Sequence, residues 1–158
     1  MSGFQLNNHK ILYSALYSNG YPFDVLFDEV TTVITPSQMT QDNSVLVIWG
    51  GGDISPTLYK QVPIEHTGAD VELSDRDQKE WNLAQEAVKR GIPIIGVCRG
   101  AQMMCAMAGG SLIQDVKNHG TSHMIITKTG EEYLSSSLHH QMMYPWNVEH
   151  KMIAISKE

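Results

Sequence analysis

The sequence is poor in positive charge and contains no long apolar run. It has 11 Lys and Arg residues against 17 Asp and Glu residues in 158, so its formal net charge is -6. Because phosphate contacts need clustered basic side chains, this balance argues against direct nucleic-acid binding. No segment approaches the roughly 18 consecutive apolar residues that a membrane helix needs, and the N-terminus has no secretory-signal pattern. We therefore expect a protein that contacts neither a membrane nor nucleic acid.

Cysteine is also scarce, since the chain has only Cys98 and Cys105. The two lie on one predicted helical stretch, roughly 10 Å apart along its axis, which is too far for a disulfide. Free thiols without a secretory signal fit a reducing compartment, so we expect a cytoplasmic location.

What the sequence does contain is a globular composition and a regular alternation of strands and helices. Apolar residues make up 42% and charged residues 18%, with no internal repeat, so residues 1–158 are expected to form one domain. The apolar runs at 45–49 and 93–97 are typical of strands that are buried on both faces. Further strands are predicted at 9–15, 24–27, 111–116, 123–127 and 152–156, and a turn or loop at 128–137.

Two helices are predicted from their start and stop signals. Ser74, with Asp77 three residues later, is a capping-box variant, and Gly91 ends that helix after a basic last turn. Residues 99–108 form the second, ended by a glycine pair. Strand, helix, strand, helix in this order predicts an α/β fold with a parallel sheet.

The strongest chemical signal is the segment around Cys98, GVCRGAQ at 96–102. A reactive cysteine needs exposure, a lowered pKa and donors for an oxyanion, and a sharp strand-to-helix turn provides all three. The helix dipole points at the thiolate, and the amide of Arg99 is free to bind a developing oxyanion. The small residues Gly96 and Gly100 allow such a turn to pack closely. We therefore expect Cys98 to be a nucleophile, whereas Cys105, in a Met-rich helix, is expected to be structural.

The stretch 74–115 resembles the core of the class I glutamine amidotransferases, closest to their gamma-glutamyl hydrolase and gamma-glutamyl-GABA hydrolase branch. The family pattern has an acid-rich helix start, a G-[IV]-C-R-G-x-Q turn and a G-G-[ST]-L-x-Q-D segment. This chain matches them with Asp75 to Glu80, Gly96 to Gln102 and Gly109 to Asp115. Upstream, GGDISPTLY at 51–59 resembles the branch's glycine loop, and SLHHQ at 137–141 resembles its S-x-H-H-Q segment.

The resemblance implies a fold and a set of roles. The fold would be a flavodoxin-like three-layer αβα sandwich with a mostly parallel central sheet. Gly51 or Gly52 would supply a second oxyanion-hole amide beside Arg99. Gln102, His139, His140 and Gln141 would bind substrate. The substrate would be a small γ-glutamyl compound, the ammonia could pass to a synthase partner, and no cofactor would be needed.

Plainer interpretations of the same residues stay open. The glycines at 51 and 52 also suit an ordinary tight turn, and His139 and His140 also suit a half-exposed loop. The side chain of Arg99 is expected to brace the turn by pairing with Asp77 or Glu80. His119 and His123 could form a metal pair with His139 or His140, but the surroundings are not helical, so we expect no metal site.

The sequence lacks the His-Pro-Glu motif that supplies the base and its orienting acid in this family. Three explanations compete: the chain continues beyond Glu158 into that motif, the protein has lost activity, or another histidine, best His140, is the base. We favour the first, so residues 1–158 would be one amidotransferase-like domain lacking its C-terminal strands. The leading hypothesis is then a cysteine hydrolase of γ-glutamyl amides, and the rival is a catalytically silent binding or regulatory module.

Overall fold

The computed structural model describes residues 9–117 and 119–157. Its centre is a parallel sheet of four strands, in the order β2-β1-β3-β4. The strands are β1 (Ile11–Ala15), β2 (Glu29–Val33), β3 (Ser44–Ile48) and β4 (Ile94–Gly96). All five residues of β3 are buried, as expected for a strand that has neighbours on both edges and both faces covered.

Helix α1 (Asp75–Arg90) crosses from β3 to β4, and its ends confirm the sequence signals. The Ser74 hydroxyl accepts from the amide of Asp77, and the Asp77 carboxylate bonds back to Ser74. At the other end Gly91 adopts the left-handed conformation with φ 70°, which ends the helix at little steric cost. Helix α2 (Arg99–Met107) follows β4 directly.

The core lies on both faces of the sheet, and the two helices cover the same face. Alternate side chains of β3 point to opposite sides, so Leu46 and Ile48 pack with apolar residues of α1 and α2. Val45 and Val47 face the other way, where Phe23, Phe27 and other apolar side chains pack against them. The predicted α/β fold with a mostly parallel central sheet is confirmed. In the described part of the chain, aromatic loop residues stand where a second helical layer was expected.

One predicted strand is wrong. Residues 24–27 were expected to extend, but Asp24–Leu26 forms a 3-10 helix, and the strand that pairs with β1 begins later, at Glu29. The apolar run Val25–Leu26 is exposed, so no sheet neighbour stabilises the extended form there.

The C-terminal part forms two small antiparallel sheets. One pairs β5 (Ser111–Ile113) with β8 (Met142–Tyr144), and the other has the order β7-β6-β9, with β6 (His123–Thr127), β7 (Glu132–Ser135) and β9 (Ala154–Ser156). The expected loop at 128–137 therefore contains a strand, β7, which pairs with β6 as a hairpin. Its residues are polar or exposed, so no apolar alternation indicated it. Among the described helices, none is long and apolar enough to cross a bilayer.

We predict that Gly100→Ala destabilises the fold by about 1–3 kcal/mol, the usual cost of forcing an extra methyl group into a packed site. A Cβ on Gly100 would overlap the carbonyl oxygen of Ile48, so α2 would have to move away from β3. The free energy of unfolding is measured by urea denaturation. The control is Gly120→Ala, because a Cβ there meets no atom within 4 Å. If the two variants unfolded at equal urea concentrations, this result would contradict the packing argument.

Candidate active site

The sheet brings the glycine loop and the Cys98 turn to the same edge. Ile48, the last residue of β3, pairs with Gly96, the last residue of β4, so both chains leave the sheet side by side. A Cβ built on Gly50 would lie 3.3 Å from the Cβ of Cys98 and 3.9 Å from its Sγ. The predicted neighbourhood of loop and cysteine is therefore present, with Gly50 as the glycine that touches Cys98.

Cys98 has an unusual backbone conformation, with φ 51° and ψ -111°. Positive φ is rare for a residue with a side chain and is found mostly where surrounding structure enforces it. Here the enforcement comes from close packing, since a Cβ on Gly96 would lie 2.6 Å from the amide nitrogen of Ala101. The turn presents the Cys98 side chain at the surface, where it is exposed and unpaired.

Three backbone amides beside this turn have no hydrogen-bond partner in the described part of the chain. The N–H groups of Gly51, Gly52 and Arg99 donate no hydrogen bond to any residue within the described ranges. The amide of Arg99 is also the first of α2, where the helix dipole adds positive potential. These are the amides that the sequence singled out as oxyanion donors, and that role stays a prediction.

A cavity of about 230 Å³ opens beside Cys98. Three of the predicted substrate-binding residues line it, namely Gln102, His139 and Gln141, together with Ala101, Met142 and Met143. Ala101 and Gln102 come from α2, whereas the remaining four lining residues beside Cys98 come from the segment before β8 and from β8 itself. The fourth predicted residue, His140, is not among the lining residues.

The polar groups of the cavity are ordered by contacts to Gln141. The Gln102 side chain donates to the Gln141 carbonyl at 3.3 Å, and Nδ1 of His139 lies 2.8 Å from the same oxygen. A carbonyl can only accept, so Nδ1 of His139 donates this hydrogen bond, and in the neutral ring Nε2 is then the acceptor nitrogen. The Gln141 side chain is 1% exposed, and its amide makes no hydrogen bond to a described residue that meets normal geometry.

Next to the cavity, burial raises the pKa of Tyr59 to about 12, with the Gln141 side chain and the Asp53 charge as weaker influences. The Tyr59 hydroxyl therefore stays protonated throughout the neutral range and can act as a hydrogen-bond donor.

His140 turns away from the cavity towards two carboxylates. Its Nε2 lies 3.2 Å from Oδ2 of Asp53, and its Nδ1 lies 3.6 Å from Oδ1 of Asp115. Asp53 also accepts from the amide of Gly68. His140 thus connects the glycine loop to the segment after β5, and of the two adjacent histidines it is His139 that shares the cavity with Cys98.

The side chain of Arg99 braces the turn, as the sequence suggested. It is 2% exposed and forms ion pairs with both Asp77 and Glu80, which are themselves buried. Helix α1 presents these carboxylates on one face because they lie three residues apart. Arg99 therefore points its guanidinium into the protein, while its amide stands at the start of α2, next to Cys98.

Arg76 is the residue that sequence reasoning missed. Its Nη2 donates to the carbonyl oxygens of Gly50, at 2.8 Å, and Trp49, at 3.2 Å. Its Nε pairs with Glu80 at 2.9 Å. The family-like motif contained Arg76, but only the fold showed that its side chain reaches the glycine loop.

The histidines considered as metal ligands lie near one another. The ring centroids of His119 and His123 are 4.9 Å apart, and those of His119 and His139 are 5.2 Å apart. Over residues 9–117 and 119–157, however, no group of three or more His, Cys, Asp or Glu side chains is arranged to hold a metal ion.

We predict that a small alkylating reagent modifies Cys98 and spares Cys105 in the folded protein near neutral pH. Cys105 is 8% exposed, and burial raises the pKa of its thiol, so the reactive thiolate is rare there. Labelling of Cys105 should begin only at pH values above the ordinary cysteine range of about 8.5. The measurement is mass spectrometry after iodoacetamide treatment of wild type and Cys98→Ser across pH. Equal labelling of both sites at neutral pH would contradict this, and full labelling in urea is the control.

We predict that Arg99→Met destabilises the protein by about 3–5 kcal/mol, because it removes the buried cation that the carboxylates of Asp77 and Glu80 share. The matched control is Lys79→Met, which removes the exposed pair with Asp75 and should cost less than about 1 kcal/mol. Urea denaturation of the two variants gives the comparison. A small loss for Arg99→Met would mean that the carboxylates are compensated in another way.

Comparison with known proteins agrees with this geometry. Residues 17–155 match the Peptidase C26 family. The chain is 36% identical over 99 residues to "Putative glutamine amidotransferase Rv2859c" of Mycobacterium tuberculosis, covering 55% of this chain and 32% of that protein. It is 34% identical over 121 residues to "Protein NtpR" of Enterococcus hirae, covering 62% of this chain and 50% of that protein. It is 30% identical over 124 residues to "Putative glutamine amidotransferase PB2B2.05" of Schizosaccharomyces pombe, covering 75% of this chain and 44% of that protein.

The chain thus spans between about a third and a half of the length of these relatives. The match to the family covers strands β2 to β4, the glycine loop, the Cys98 turn and the cavity segment. The chain belongs to the Peptidase C26 family of class I glutamine amidotransferase-like proteins.

Proposed function

We propose that the chain forms the nucleophile half of a cysteine hydrolase that cleaves γ-glutamyl amide bonds. The observation that carries the proposal is the juxtaposition at one sheet edge of an exposed cysteine in a strained turn, backbone amides without a partner among the described residues, and a small cavity that two glutamines and a histidine help to line. Strained backbone at such a turn is characteristic of nucleophiles held for attack.

The chemistry follows from these groups. The Cys98 thiolate attacks the γ-carbonyl carbon, and the carbonyl oxygen becomes an oxyanion held by the amides of Arg99 and of Gly51 or Gly52. Collapse of the tetrahedral intermediate expels the amine, which takes up a proton as it leaves, and a thioester remains on Cys98. Water then attacks the thioester through a second oxyanion, which releases glutamate and restores the thiol.

The cavity suits a small polar substrate. Gln102 and Gln141 are nearly fully buried yet offer amide groups, and the Gln141 amide makes only a weak contact with the Tyr59 hydroxyl and no hydrogen bond of normal geometry to a described residue. Because buried polar groups are normally satisfied, an amide with spare hydrogen-bonding capacity in a cavity favours a polar ligand such as the α-amino and α-carboxylate end of a γ-glutamyl compound. The glycine-loop and S-x-H-H-Q resemblances favour the gamma-glutamyl hydrolase branch, in which the amine leaves as a free product.

The base has two candidate sources. His139 lines the cavity with Cys98 and has no carboxylate partner among the described residues, so they favour it over His140, which is occupied by Asp53 and Asp115. The family pattern instead places the base in a His-Pro-Glu motif, which a longer form of the chain would supply. His139 would then bind substrate, as first expected.

A second candidate function is a silent γ-glutamyl-binding module. The cavity supports it because binding needs only the lining groups, whereas turnover also needs a base and its orienting acid. Such a module would retain the cavity and bind the same ligands without releasing glutamate.

We predict that a diazoketone analogue of glutamine forms one covalent adduct, on Cys98. Intact-mass analysis and peptide mapping should show the adduct in wild type and Cys105→Ser and none in Cys98→Ser. Free γ-glutamyl ligand should slow the labelling, because it occupies the same cavity. If no adduct that depends on Cys98 formed, this result would contradict the enzyme hypothesis.

Measuring glutamate release from γ-glutamyl amides distinguishes the hydrolase from the silent module. It also distinguishes His139 from a base supplied elsewhere. Adduct formation with measurable release supports the hydrolase, and adduct formation without release supports the silent module. If release falls to background in His139→Gln while the adduct still forms, His139 is the base. If release persists, the base comes from elsewhere.

A further inference from the structure

We propose that Arg76 is a positioning residue for the glycine loop, and that Glu80 couples this loop to the Cys98 turn. The proposal rests on the proposed function, because it concerns the amide of Gly51 as an oxyanion donor. Arg76 touches neither the substrate cavity nor the Cys98 thiol, so it would act only through the backbone that it holds.

The first step of the argument is the planarity of the peptide group. Arg76 Nη2 donates to the Gly50 carbonyl oxygen at 2.8 Å. In a trans peptide the C=O of one residue and the N–H of the next point in opposite directions. Fixing the Gly50 carbonyl on the guanidinium therefore fixes the direction of the Gly51 N–H on the opposite side. The contact to the Trp49 carbonyl does the same for the preceding peptide.

The second step is that this loop needs such a restraint. Gly51 has φ 149°, a conformation open to glycine and strained for other residues. A glycine peptide rotates easily, so the loop sequence by itself does not select one orientation. The guanidinium packs directly against Gly51, and a Cβ at this position would overlap Arg76 Nη1. The Arg76 guanidinium can therefore pack in this position only because residue 51 has no side chain.

The third step is the connection to the nucleophile turn. Glu80 is fully buried and uses its two oxygens on two different arginines. Oε1 accepts from Nε of Arg76 at 2.9 Å, and Oε2 pairs with Arg99 of the turn. The Glu80 carboxylate therefore holds two arginine side chains. Arg76 orients the peptide that carries the Gly51 amide, and Arg99 carries the other predicted oxyanion donor on its own backbone. The Tyr17 ring, 5.1 Å from the Arg76 guanidinium carbon, covers the outer side of this network.

Arg76→Met should therefore leave Cys98 in place but release the glycine loop. We expect acylation by γ-glutamyl p-nitroanilide to fall by about 10²–10³-fold, the usual cost of losing one oxyanion donor. The loss should fall on kcat and leave KM almost unchanged, because the cavity residues do not move. Arg76→Lys should be intermediate, since one ammonium cannot reach Glu80 and the Gly50 carbonyl in the same fork geometry.

Two further measurements on the same variants separate positioning from a general structural role. Iodoacetamide alkylation of Cys98 forms no oxyanion, so its rate should stay within twofold of wild type. Hydrogen exchange followed by mass spectrometry should show faster exchange in the peptide that covers residues 49–53, and unchanged exchange in α2. The matched control is Arg90→Met, because Arg90 has similar exposure and also pairs with one acid, Asp42, but lies away from the loop.

The outcomes are decisive with or without turnover. Faster loop exchange in Arg76→Met, with normal exchange in Arg90→Met, supports the positioning role even if wild type proves silent. Unchanged loop exchange overturns it. A parallel fall in alkylation and acylation would also overturn it, because that pattern indicates a disturbed nucleophile or fold. Absence of acylation in wild type would count against the proposed hydrolase alone, because the exchange result stands by itself.

Discussion

The buried ion pairs among Asp77, Glu80 and Arg99 are the interaction on which the site depends. Buried charges are tolerated only when they are paired, and here two carboxylates from one helix hold the first residue of the next helix. Their geometry fixes α2 against α1 and keeps the turn at Cys98 in its strained conformation. The Glu80 carboxylate also pairs with Arg76, which bonds to Gly50, so a single helical turn of α1 braces both the Cys98 turn and the glycine loop.

The sheet supplies the other constraint, which is proximity. In a parallel sheet all strands end at the same edge, so loops that are far apart in sequence meet there. The glycine loop after β3 and the cysteine turn after β4 are about 50 residues apart in the chain, yet a side chain on Gly50 would touch Cys98. The packing of Gly100 against Ile48 sets how closely α2 approaches this edge, and this leaves no room for a larger residue.

The antiparallel C-terminal segments complete the cavity rather than the sheet. The segment around 137–141 is tied by backbone hydrogen bonds to the chain after β5, including one from the Val116 amide to the His140 carbonyl and one from the His139 amide to the His119 carbonyl. Gln114 performs a similar task from the other direction, since its side chain holds the loop that contains Gln61 and Thr67. Several polar residues of the family-like motifs thus stabilise the loops around the cavity through hydrogen bonds.

By itself the sequence determined the local features: the capping box at Ser74, the helix stop at Gly91, the buried strands and the turn at Cys98. Each of these depends on residues close together in the chain, so local physics decides them. The tertiary structure decided which of His139 and His140 lines the cavity beside Cys98, because neither lies in a strand or helix and only packing selects the inner one. It also decided that Asp24–Leu26 is helical, that β7 exists and that Arg76 reaches Gly50. These outcomes depend on partners supplied by distant segments, and no local pattern specifies such a partner.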